Sequence, residues 1–130
     1  RTPAEAAERA LAEVGLQSRA GVTLAALSHG ERRQVEIAMT LATRPKVLLL
    51  DEPLAGMGAE ESVRIVELLQ KLVRDHAILL VEHDMDAVFA VANVLTVMVN
   101  GSVLESGVPE SIRASRAVQE AYLGVDEAQE

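Results

Sequence analysis

Leu27-Ser28-His29-Gly30-Glu31 opens a stretch that closes with Val47-Leu48-Leu49-Leu50-Asp51-Glu52. Ser28 is a good helix N-cap, and Glu31, three residues on, can return a side-chain bond to it as a capping box. A helix therefore starts here. Val35, Ala38, Leu41 and Ala42 give it an apolar stripe, and Arg44-Pro45 stops it, because the residue before a proline is pushed out of the α region. Its first turn is expected to offer free backbone N–H groups beside a hydroxyl and a glycine, a combination suited to phosphate. The following run from Lys46 to Glu52 is apolar without alternation, as in a parallel strand covered on both faces. In open α/β sheets ligands bind outside the carboxyl ends of strands, where Asp51 and Glu52 would stand. One carboxylate could hold a hydrated Mg²⁺ while the other orients a water. Taken alone, the same pair also reads as the plain end of a strand entering a loop at Pro53.

On the N-terminal side, Thr2-Pro3-Ala4-Glu5 is a second helix start with the same box. Ala6, Ala7, Ala10, Leu11 and Val14 form its apolar face, Gly15 ends it, and Leu16 can pack back on it. Residues 16 to 26 are a connector. On the other side, Ala59 to Arg74 is an amphipathic helix with Ile65, Val66, Leu69, Leu72 and Val73 on one face. Ala77 to Val81 is another uninterrupted apolar strand, so strand, helix and strand make a parallel crossover that brings His83 beside Glu52. Glu82-His83-Asp84 does not suit a metal, since neighbours in extended chain point to opposite sides. His29 and His76 read as surface residues. Met85, Val88, Phe89 and Ala92 fit a short helix, and Val94 to Val99 a strand. Asn100-Gly101 is a two-residue hairpin turn returning through Val103 and Leu104. Pro109 starts a helical stretch, and Val118 to Gly124 a last short helix before an acidic tail.

A chain of 130 residues with 49% hydrophobic content can build a real core, and one Phe, one Tyr and no Trp make that core aliphatic. The formal charge of −8 argues against a general nucleic-acid surface. Cysteine is absent, so there is no disulfide framework. No apolar run reaches the ~18 residues of a membrane span, and the start carries no basic-then-apolar signal pattern.

Several motifs occur together and in order. Leu27 to Glu31 resembles the signature motif of ABC-type ATPases, Val47 to Glu52 their Walker B strand with its catalytic glutamate, Ala55-Gly56-Met57-Gly58 their D-loop, and Val81-Glu82-His83-Asp84 their switch-histidine segment. Two of the motifs depart from the pattern. His29 replaces the first signature glycine and Glu31 the final glutamine, while Gly58 stands where the D-loop has an acidic or amide residue. The G-x-x-x-x-G-K-[ST] phosphate loop does not occur, and the only lysines, Lys46 and Lys71, lack its glycines. The resemblance therefore implies the C-terminal part of a RecA-like ABC ATPase domain. Residues 1–44 would belong to the helical signature subdomain, 45–107 to the Walker B core and hairpin, and 108–130 to a C-terminal helical stretch and tail.

The resemblance also implies a mechanism: ATP hydrolysis at a site shared by two ATPase domains. Leu27, Ser28, His29, Gly30 and Glu31 would close over the ATP held by the opposite subunit, with the D-loop at the same interface. Asp51 would hold Mg²⁺ through water, Glu52 would polarise the attacking water, and His83 would keep phosphate and water in line. Transmembrane permease subunits would then tether the chain to the cytoplasmic face of the inner membrane. Glu36-Ile37-Ala38-Met39, Leu50 to Met57, Val81 to Asp86 and Ala121-Tyr122-Leu123-Gly124 look most like branched-chain amino-acid importers, and next like the lipopolysaccharide-export ATPase. Without a phosphate loop the chain alone is expected to be inactive; a non-catalytic interaction module is the reading of another class. In this family the phosphate-loop strand lies between 77–82 and 94–99, so those two segments are not expected to pair.

Overall fold

The computed structural model describes residues 2–123. Both capping boxes form, at Thr2 with Glu5 and at Ser28 with Glu31, and they start α1 (Pro3–Glu13) and α2 (His29–Ala42). α1 ends as its glycine requires. Gly15 takes a φ of +78°, its N–H donates to the Ala12 carbonyl, and the Leu16 N–H reaches back to the Leu11 carbonyl at 2.8 Å. That closure turns Leu16 into the core beside Ala10 and Val14. Two short 3₁₀ turns, Gln17–Arg19 and Leu24–Ala26, form the connector. α2 stops at Thr43, and Arg44, ahead of Pro45, is displaced to a φ of +55°.

β1 (Val47–Asp51) and β2 (Ala77–Val81) pair in parallel, Leu48 opposite Ile78 and Asp51 opposite Val81, with α3 (Ala59–Leu72) as the crossover between them. Leu48 is fully buried and joins Ile37, Ala38, Leu41, Leu68 and Leu72 in one aliphatic core, with Leu50 and Ile78 at its edge. The chain divides into two compact units between Ala87 and Val88, inside α4 (Met85–Val91). The second unit holds an antiparallel hairpin, β3 (Leu95–Val99) with β4 (Ser102–Gly107), and the short helices α5 (Pro109–Ala114) and α6 (Arg116–Val118), then a single π-helical turn, Gln119–Leu123. Asn100 and Gly101 both have positive φ, +50° and +78°, which is the type I′ turn that matches strand twist. Leu95, Val97, Ile112 and Val118 form this unit's own core, and the Arg113 guanidinium lies over the Phe89 ring at 4.3 Å.

Four expectations need correction. Among the described residues the sheet is covered on one face only: Val47, Leu49, Leu79 and Val81 are exposed, Leu49 at 73%, because α2 and α3 both pack on the side of Leu48 and Leu50. Ala7 and Ala42 are exposed, and Ile37 and Leu68 take core places instead. A leucine or isoleucine side chain buries more apolar area than an alanine at the margin of the stripe, so packing selects the larger residue. His76 is half-buried, with Nδ1 3.2 Å from the Leu72 carbonyl. The last expected helix begins earlier, as α6 and the π turn, and its end at Gly124 lies outside the described residues, as does the acidic tail.

Candidate functional site

Parallel pairing of β1 and β2 puts both carboxyl ends on one edge, and the chemistry gathers there. The Glu52 N–H donates to the Val81 carbonyl at 2.7 Å, which extends the ladder by one bond. Glu52 itself then leaves the extended conformation, with a φ of +46°. A left-handed backbone on a non-glycine residue is costly and is found most often where surrounding structure holds a functional group in place. The turn swings the Glu52 carboxylate toward β2, where Oε1 lies 3.0 Å from His83 Nδ1. Both side chains are open to solvent, Glu52 half-exposed and His83 more so, so this pair is worth little as a stabilising ion pair. It is open to a ligand that approaches from solvent.

Asp51 is the last residue of β1 and faces the exposed side. Among the described residues no three His, Cys, Asp or Glu side chains come together as a metal cage, at Glu82-His83-Asp84 or elsewhere. One carboxylate suits Mg²⁺, which keeps most of its waters and shares phosphate oxygens rather than taking an all-protein cage.

The start of α2 departs from its expected form. Its amides are occupied: Glu31 N–H donates to Ser28 Oγ, Arg32 N–H to the Ser28 carbonyl, and Gly30 N–H to Glu61 Oε1 at 3.2 Å. Glu61 comes from the first turn of α3 and packs so close that a Cβ on Gly30 would meet its side chain at 3.2 Å. His29 stays exposed, with Nε2 3.2 Å from the Ala55 carbonyl and over Gly56, whose φ of +75° favours glycine. Ser28, His29 and Gly30 are thereby held against the segment that follows Glu52, although they lie far from it in sequence. Leu27 is buried behind them, and Met57 and Gly58 lead into α3, with Gly58 at its N-cap. Glu31 is tied by the Ser28 backbone N–H and by the Arg19 guanidinium at 2.9 Å, and these hold its carboxyl below the usual 4.5 despite some opposing desolvation.

Sequence reasoning missed Glu82 and Glu61. Ile78, Leu80 and Glu82 share one phase of the strand alternation, so the covered side continues to Glu82, and that period was the available signal. Glu61 had none beyond being an acid in a first helical turn.

Residues 2–55 match the family model described as ABC transporter, and residues 102–128 the one described as branched-chain amino acid ATP-binding cassette transporter. The chain is 39% identical over 129 residues to the high-affinity branched-chain amino acid transport ATP-binding protein LivG of Escherichia coli, covering 95% of this chain and 51% of LivG. It is 40% identical over 116 residues to BraF of Pseudomonas aeruginosa, covering 88% of this chain and 46% of BraF. Among solved structures, the ADP conformation of MJ1267, an ATP-binding cassette of an ABC transporter, superposes with a TM-score of 0.82 at 29% identity, over 92% of this chain and 49% of that one. The chain spans about half the length of the relatives it matches.

Proposed function

Because the chain belongs to the ATP-binding family of ABC transporters, we propose that it carries the hydrolytic and signature portion of an ATPase that drives import of branched-chain amino acids. The observation that carries this reading is the 3.0 Å contact between Glu52 and His83 at the carboxyl ends of adjacent parallel strands. Glu52 accepts the proton of the attacking water, and the His83 ring fixes that carboxylate and meets the terminal phosphate. Positioning and electrostatics account for such a reaction, which has little covalent chemistry for the protein to perform. Asp51 would hold Mg²⁺ through water; the ion, when bound, neutralises phosphate charge.

Ser28 and Gly30 serve the nucleotide of a second ATPase subunit, and Ala55 to Gly58 lie at the same contact. Among the described residues no helix is long and apolar enough to cross a membrane. Transmembrane permease subunits are the partners this reading assigns to it. Tethered through those subunits, the chain would work at the cytoplasmic face of the inner membrane. The match of residues 102–128 and the likeness to LivG and BraF support branched-chain amino acids as the cargo.

A chimera tests the proposal: the aligned half of E. coli LivG is replaced by this chain, and leucine uptake and MgATP turnover are measured. Uptake and turnover that both need Glu52 are expected. Turnover without leucine uptake would overturn the cargo, and a folded chimera with neither would overturn the ATPase reading.

A further inference from the structure

The buried carboxylate of Glu82 has no part in the chemistry above, yet its side chain is only 1% exposed. Glu82 as a residue is half-buried, and the open part is its backbone. A carboxylate out of water needs donors. Here they come from both strand exits. Oε2 accepts the Leu54 N–H at 3.3 Å from the segment after β1, while Oε1 accepts the His83 N–H at 3.0 Å and lies 3.5 Å from the Asp84 N–H, both after β2. Oε1 is also 3.5 Å from His83 Nδ1, on the ring that meets Glu52. No Lys or Arg among the described residues forms an ion pair with it.

The donor order follows from the sequence. The Glu52 N–H is already given to Val81, and Pro53 has none, so Leu54 supplies the first free backbone donor after the strand. Glu82 takes it. One carboxylate thus ties the chain on the far side of Glu52 to the chain on the near side of His83, bracketing the catalytic pair at both ends.

We propose that Glu82 is a positioning residue: its two oxygens clamp the loops after β1 and β2, and this clamp sets the Glu52–His83 contact and the ring's Nδ1–H tautomer. The inference rests on the functional reading only in calling that pair catalytic. With Nδ1–H donated to Glu52, the outer nitrogen Nε2 faces solvent as the atom left for a ligand.

The test uses the 130-residue chain and its Glu82→Ala, Glu82→Gln and Glu52→Gln variants, with nitrogen-15 shifts of the His83 ring read at alkaline pH and amide exchange read at Leu54. In the parent chain His83 is expected as the Nδ1–H tautomer. Glu82→Ala should move it toward the Nε2–H form that free histidine favours and speed Leu54 exchange about tenfold, the scale of one lost hydrogen bond. Glu82→Gln keeps one acceptor oxygen and should rescue one of the two readouts, not both. A general loss of stability would leave the tautomer unmoved in the folded population. An unchanged tautomer in Glu82→Ala, or full rescue of both readouts by Gln, overturns the clamp.

In the LivG chimera Glu82→Ala should lower kcat about tenfold with the KM for ATP unchanged; a change in KM alone would overturn the positioning role. The tautomer is read without nucleotide, so the two failures separate. If it shifts as expected while Glu52→Gln in the chimera still turns over ATP normally, the clamp stands and the ATPase reading falls.

Discussion

The β1–β2 sheet and the β3–β4 hairpin are both two-stranded, and they are assembled on opposite terms. β3 and β4 meet across Asn100-Gly101, whose positive φ values suit the turn, so neighbouring residues alone specify the register, with one irregularity between Val97 and Met98. β1 and β2 meet only after α3 has crossed between them, and their join is finished by side chains: Glu52 on His83, and Glu82 on Leu54. The hairpin has side-chain bonds of its own, Thr96 with Ser106 across the strands and Ser115 onto Glu105, but these join groups only ten residues apart. Long-range closure is what brings reactive groups together from separate parts of a chain, at the cost of depending on every element between them.

The sharpest break in this comparison is chemical. In the LivG chimera, Glu52→Gln should leave ATP binding intact and reduce turnover by roughly 10²- to 10⁴-fold, the range for loss of a general base. Substitutions at exposed hairpin positions such as Thr96 or Val103 should leave turnover within twofold or so, as expected of surface changes. Rate and nucleotide-binding measurements on the same preparations decide it; weakened binding with normal turnover would assign Glu52 another role.

Next comes the one-sided cover of β1. Leu48→Ala should cost about 2–5 kcal/mol and Leu49→Ala less than about 0.5 kcal/mol in denaturant unfolding, since Leu48 is fully buried and Leu49 is not. Equal costs would mean that Leu49 is covered in solution. For the hairpin, Gly101→Ala places a side chain at a φ of +78° and should cost about 1 kcal/mol without altering the β1–β2 edge, as read by amide exchange at Glu52.

The smallest effect is pH-dependent. Folding lowers the Glu31 carboxyl, so its contribution is complete above the usual 4.5 and disappears as pH falls through the lower folded value. The Tm difference between the parent chain and Glu31→Gln should therefore be constant above pH 5 or so and close on further acidification. A difference that grows in acid would reverse the sign of the linkage.

Local chemistry made much of this fold legible. Thr2 and Glu5, Ser28 and Glu31, Gly15 with Leu16, and Asn100-Gly101 each act within a few residues, and each sits where its pattern placed it. At the site, the parallel order of two apolar strands was enough to bring His83 to Glu52. The uncovered face of β1 and β2 was not legible, because an uninterrupted apolar run says that a strand suits burial on both sides and not which helices arrive. Glu61 on Gly30 joins residues 31 apart in sequence, and Glu82 on Leu54 residues 28 apart. A carboxylate choosing one distant amide leaves no periodic trace. The left-handed Glu52 was hidden for a related reason, since its conformation is imposed by the ladder bond to Val81 and the ring of His83 rather than by its own side chain.

The carboxylate of Glu61 on the Gly30 amide changes what arrival at α2 means. A vacant helix end gains an anion by simple addition, whereas this one already holds an anion from its own chain. A phosphate landing on Gly30 would complete an exchange, one oxygen leaving as another enters, and the affinity observed would be the difference between two similar bonds. The displaced carboxylate would also need somewhere to go, and Arg64, one turn along α3 in the same crevice, is within the natural reach of such a swing. Nucleotide contact on one helix would thereby be felt as a rearranged side chain on the next, the helix that leads directly back from the Glu52 turn to β2.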